Sequence, residues 1–74
     1  NPATKIRYQL PTAANVTLDI YNIMGQKVET LVNGHQDAGY HSVSWDASGY
    51  SSGVYFAKLS NGAETATQKM MLVK

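Results

Sequence analysis

Seventy-four residues make one domain, and the absence of cysteine excludes both a disulfide staple and a thiolate zinc site. Hydrophobic residues make up 43% and charged residues 15%, against about 25% charged in average proteins. With a net charge of +1 there is no strong electrostatic draw to nucleic acid or anionic membrane, and no apolar run approaches the roughly 18 residues of a transmembrane helix.

Six strands and no helix are predicted. The first covers about Thr4 to Leu10, with Ile6, Tyr8 and Leu10 alternating against Lys5, Arg7 and Gln9, and Pro11 ends it because proline cannot donate to a ladder. The second covers about Asn15 to Ile23, with Val16, Leu18 and Ile20 facing in and Thr17, Asp19 and Tyr21 facing out. Asn22-Ile23-Met24-Gly25 breaks the alternation and ends in glycine, which suits a short hairpin loop whose last residue has positive φ and whose Met24 is partly exposed.

The third strand runs from about Gln26 to Val32. Leu31 and Val32 fall on opposite faces, which places a bulge or the strand end there, and Asn33-Gly34 is a strong turn signal. The fourth covers about Tyr40 to Asp46, with His41, Val43 and Trp45 on one face and Trp45 filling the core. Asp46 to Gly53 is a loop by composition. The fifth, about Val54 to Ser60, is apolar on both faces and so reads as a central strand. Asn61-Gly62 is a second hairpin turn, and the sixth strand covers about Glu64 to Val73. Short strands at regular spacing, separated by turn signals, indicate a β-sandwich or small barrel.

Groupings with catalytic or metal-binding chemistry are sparse. Asp19 and Glu29 flank one hairpin and read as solvated surface carboxylates, since a glycosidase-like pair needs a cleft and one raised pKa. His35, Asp37 and His41 are a weak zinc-like cluster without fixed spacing, with His35 solvated and His41 packing at the edge of the core. Ser48, Ser51 and Ser52 lack a Gly-x-Ser-x-Gly elbow and belong to the loop. No catalytic, cofactor or metal residue is assigned, and no cofactor is expected. Asn15-Val16-Thr17 fits the glycosylation sequon, a match that is chance if the source is bacterial. Tyr21, Tyr40 and Tyr50 are the tyrosines best placed for exposure, on different elements, and would be the contacts of a glycan-binding module.

The end of the chain, Gln68 to Lys74, has apolar residues on both faces: Met70 and Leu72 on one, Met71 and Val73 on the other, bounded by Lys69 and Lys74. Such a segment is either an interior strand or a strand whose second face or edge is read by a partner, through strand addition or in a groove.

Several stretches, taken in order, carry a family resemblance: the Asn-Pro start with "KIRYQLP", "VTLDIYNIMGQKVETLVNG", "AGYHSVSWDASGYSSGVYFAKLSNG", and the closing "KMMLVK". Together they resemble the C-terminal sorting domains of proteins exported by the bacterial type IX secretion system, themselves similar to the immunoglobulin-like domain of the flagellar hook-capping protein. The resemblance covers nearly the whole chain.

The resemblance implies an all-β fold, a small immunoglobulin-like β-sandwich of about six to seven antiparallel strands. Residues 1–74 would then be a single non-catalytic C-terminal module cut from a larger secreted protein. The implied partners are the type IX outer-membrane translocon, a sortase, and the parent's catalytic or adhesive domain; the module itself is expected to be a monomer. The implied location is extracellular or on the cell surface. Recognition is expected at Lys69, Met70, Met71, Leu72, Val73 and Lys74. The other reading is an accessory carbohydrate-binding or spacer module of a secreted hydrolase, with contacts at Tyr21, Tyr40 and Tyr50.

Overall fold

The computed structural model describes residues 3–73. Six strands follow one another: β1 (Ala3–Leu10), β2 (Ala14–Asn22), β3 (Lys27–Gln36), β4 (Gly39–Asp46), β5 (Gly53–Ser60) and β6 (Thr65–Leu72). They form two antiparallel sheets, one of two strands in the order β1-β4 and one of four in the order β3-β2-β5-β6. Ile6 and Trp45 from the first sheet pack against Leu18, Ile20, Tyr55, Ala57 and Leu72 from the second, so the sheets face each other across one core. The molecule is 16 Å across its thinnest axis, which suits two sheets stacked about 10 Å apart. The all-β, immunoglobulin-like sandwich expected from the sequence is what forms.

Alternation accounts for most of the core. Val16, Leu18 and Ile20 of β2 are all buried, as their period-two spacing requires. β5 is central, between β2 and β6. Trp45 is 1% exposed, and its ring lies 5.3 Å from Tyr55 at 66°, an edge-on contact.

The β2–β3 hairpin forms as its sequence predicts. Gly25 N–H donates to the Asn22 carbonyl at 3.0 Å, and Gly25 takes φ +81°. The Asn22 side chain holds the loop from inside: Oδ1 accepts from Met24 N–H at 2.9 Å and Gln26 N–H at 3.0 Å. Met24 at the tip is 78% exposed.

Two local readings are corrected. Asn33-Gly34 is not a turn. Both residues lie inside β3, opposite Thr17 and Val16. Val16 is a core residue, so the backbone around it needs a ladder partner, and residues 33–36 supply it against their local turn preference. Gly34 sits in the strand at φ +153°, an extended conformation open to glycine. The chain instead turns at Asp37-Ala38, where it passes from β3 in one sheet to β4 in the other.

The bulge expected at Leu31 is present, since Leu18 pairs with Val32 and Asp19 with Thr30. A second register shift skips Val28, between the Ile20–Glu29 and Tyr21–Lys27 pairs. That shift overturns the reading of Glu29 as a surface carboxylate: it places Glu29 level with fully buried Ile20, and the side chain turns to the core edge.

Candidate docking face

β6 divides the terminal residues between two environments. Met70 and Leu72 pair with Tyr55 and Gly53 and point into the sandwich, where Leu72 is buried and Met70 packs against the core. Lys69 and Met71 pair with Phe56 and Val54 and lie on the opposite, outer face. Val73 beyond them is exposed. Lys74 falls outside the described residues. The two-faced apolar end thus has one buried face and one bare face, and β6 is also the edge strand of its sheet.

The bare face continues onto the neighbouring strands. Tyr21 of β2 pairs with Phe56 of β5, which pairs with Lys69 of β6. On the other side Tyr21 pairs with Lys27 of β3. One cross-strand row therefore reads Lys27, Tyr21, Phe56, Lys69. Beside it, Lys58 sits over the Tyr21 ring, its Nζ 5.7 Å from the centroid. A shallow hollow of about 250 Å³ opens here between Tyr21, Ile23, Phe56, Lys58 and Thr67. The large apolar residues that remain exposed are Ile23, Met24, Tyr40, Met71 and Val73. Ile23 and Met24, which follow β2, and Met71 and Val73, at and just past the end of β6, lie at the same end of the four-stranded sheet, with β5 between the two strands.

The residues named for other chemistries are placed apart. Tyr21 is half-buried on the outer face of the four-stranded sheet, whereas Tyr40 is 85% exposed on the two-stranded sheet. Tyr50 is half-buried, with its ring against Trp45 and Tyr55. The three are not brought together.

His35 Nε2 lies 3.5 Å from Asp37 Oδ1, while His41 Nε2 donates to the Asp37 carbonyl at 2.7 Å and its ring stacks on Tyr8. Among the described residues no group of three His, Cys, Asp or Glu side chains is arranged to hold a metal ion. Asp19 accepts from Thr30 Oγ1 at 2.7 Å on the outer face. Glu29 Oε1 accepts from Trp45 Nε1 at 3.1 Å and lies 3.0 Å from the Tyr50 hydroxyl, which also reaches the Val28 carbonyl. Burial, and then the acceptor and charge of Glu29, hold the Tyr50 phenol above its ordinary pKa. Asp19 and Glu29 thus serve two different surfaces.

Lys27, Lys58, Phe56 and Ile23 are not singled out by the sequence reading. Their signal was the second apolar face of β5. It read as a sign of central position, which is correct, but no third layer covers that face among the described residues.

The fold is a small all-β module with one bare sheet face, and no helix among the described residues is long and apolar enough to cross a membrane. The chain belongs to the secretion system C-terminal sorting domain family, whose model matches residues 1–74. No curated protein and no solved structure matches it. Sorting domains of this type are signal modules of type IX secretion, and they mark proteins released to the extracellular space or held on the cell surface.

Proposed function

We propose that this domain ends a larger secreted bacterial protein and directs it through the type IX outer-membrane translocon. A sortase would then act on the domain and leave the parent at the cell surface. The observation that carries this reading is the division of β6. Met70 and Leu72 anchor the strand in the core, and Lys69 and Met71 are left on the outer face. A strand held rigidly by one face presents the other without further ordering cost. Lys74, outside the described residues, extends the same segment.

The test is an export assay with residues 1–74 fused to the C-terminus of a periplasmic reporter, in a host with a working type IX system. Deleting the last strand would remove Leu72 from the core, so the informative variant changes outward residues alone. Lys69→Glu/Met71→Ser/Val73→Ser should remain folded and lower surface reporter about tenfold or more, as expected when an interface loses its central contacts. A folded wild-type fusion that stays in the periplasm overturns the reading.

Tyr40 favours a second reading, an accessory carbohydrate-binding module. It stands beside an open hollow of about 530 Å³ lined by Arg7, Gln9, His41 and Ser42, an aromatic face with polar groups around it. Titration with soluble glycans that shifts the Tyr40 ring resonances would support this reading, and unchanged resonances would remove it.

A further inference from the structure

We propose that the recognised surface is the outer face of the four-stranded sheet rather than the terminal strand alone, and that its partner is a protein surface presenting apolar side chains rimmed by carboxylates. This proposal rests on the sorting reading above and names the chemistry of its partner.

Charge complementarity is the first argument. The row Lys27–Tyr21–Phe56–Lys69 crosses all four strands of the sheet. At about 4.8 Å between neighbouring strands, the two lysine backbones stand about 14 Å apart with an aromatic pair between them. Lys58 adds a third cation over Tyr21. Among the described residues none of these lysines has a carboxylate within 4.0 Å. The acid in the neighbouring row, Asp19, is in register with Lys58 on this face but accepts from the Thr30 hydroxyl at 2.7 Å and makes no ion pair with the lysine. Three cations against one carboxylate, set around apolar side chains, leave this face positive and call for an anionic rim on the partner.

Shape is the second argument, and it separates a protein from an anionic lipid surface. Tyr21 and Phe56 are half-buried, so they do not project far enough to enter acyl chains. The 250 Å³ hollow beside them is shallow and open, wide enough for a single side chain. A side chain from a partner can seat in such a hollow with the lysine charges around it, the arrangement of an interface anchor. A fluid lipid surface has no groups at a fixed spacing to match the two lysines. Ile23 is an exposed apolar wall of the hollow, and Met71 lies farther along the same face, opposite Val54.

The experiment compares two charge reversals of equal size in the same export assay. Lys27→Glu/Lys58→Glu lies wholly outside β6, and Lys5→Glu/Arg7→Glu lies on the two-stranded sheet. The first should reduce surface reporter about tenfold or more, and the second should leave it within about twofold, since like charges placed across an interface are strongly unfavourable. Near-UV circular dichroism checks folding, and Lys27→Gln/Lys58→Gln, with a smaller loss expected, replaces the reversal if that variant does not fold. Export unaffected by Lys27→Glu/Lys58→Glu, while the β6 variant still fails, overturns this proposal and leaves the sorting reading standing. Equal losses from both reversals overturn it in favour of a bulk charge effect. Binding of the wild-type chain to vesicles of phosphatidylglycerol and phosphatidylcholine, abolished by Lys27→Glu/Lys58→Glu, overturns it in favour of a lipid surface. A wild-type fusion retained in the periplasm removes both readings together.

Discussion

Trp45 and Glu29 join the two sheets through a single hydrogen bond of 3.1 Å, from the indole Nε1 on β4 to the carboxylate Oε1 on β3. The ring is buried, so its N–H needs an acceptor within the protein. Glu29 also receives Tyr50 at 3.0 Å, so one half-buried carboxylate serves two aromatic donors. Replacing it by alanine should therefore cost about 1–3 kcal/mol, the range for leaving a buried donor unsatisfied. Glu29→Gln keeps an amide oxygen at the same reach and should lose clearly less. Urea unfolding followed by Trp45 fluorescence measures both. An alanine variant as stable as wild type would show that water replaces the carboxylate without loss.

Alkaline pH should act through Tyr50 and Tyr8. Burial raises both phenols above their ordinary pKa, with Glu29 adding to the effect at Tyr50. A phenol whose folded pKa lies above its unfolded value contributes stability that is fully present below the unfolded value, about pH 10. That contribution is lost as pH rises through the higher folded value. The melting temperature should thus fall as pH rises past about 10, and Tyr50→Phe should flatten the fall while Tyr8 retains its share. At neutral pH the same variant should be about 1 kcal/mol less stable, because the Glu29 and Val28 acceptors lose their shared donor. An unchanged alkaline slope in Tyr50→Phe would mean that its phenol is not the group titrating.

The loop between β2 and β3 tests local backbone chemistry. Gly25 holds φ +81° with nothing within 4 Å of where a Cβ would stand, so the cost of Gly25→Ala is conformational and not a clash. It should be about 1–2 kcal/mol, the penalty of a left-handed backbone for an L-residue, and Gly25→Asn should recover part of it. Asn22→Ala removes the acceptor of two backbone N–H groups and should cost about 1 kcal/mol, moderated by the exposure of the loop. Thermal melts of the three variants check the order.

Strand identity and inward residues were legible because the alternation of Val16, Leu18 and Ile20, and of Val43 and Trp45, carries face and burial together. The family resemblance was legible in the ordered set of turns and strands. The position of Glu29 was not: the register shift that skips Val28 reverses the faces from that point, and period-two reasoning carries no sign of an inserted residue. The persistence of β3 through Asn33-Gly34 escaped for a related reason. A turn preference is local, while the ladder demand of the β2 segment around Val16 comes from a strand far back in the sequence. The proposed docking face was half legible. The terminal strand stood out by its composition, but Lys27 and Lys58 join it only through cross-strand register, which a single sequence does not display.

Leu72 and Met71 are neighbours with opposite duties, and substituting each separates folding from recognition. Leu72 is buried at the end of β6 and packs with the core, so Leu72→Ala should cost about 2–5 kcal/mol. In a 74-residue domain without a disulfide, that is a large part of the total stability. Met71 is 70% exposed on the outer face, so Met71→Ala should change stability by less than about 0.5 kcal/mol. Its effect should appear in export, where an apolar contact at the docking face is lost. Denaturation midpoints and surface reporter, measured on the same two variants, should therefore move in opposite patterns. Leu72→Ala lowers export only to the extent that it unfolds the domain, so cooling the assay should restore it. Met71→Ala leaves the midpoint in place and lowers export at every temperature. If Met71→Ala exports normally while Leu72→Ala fails even when folded, the inward side of β6 carries the signal, and the translocon must then open the sandwich to read it.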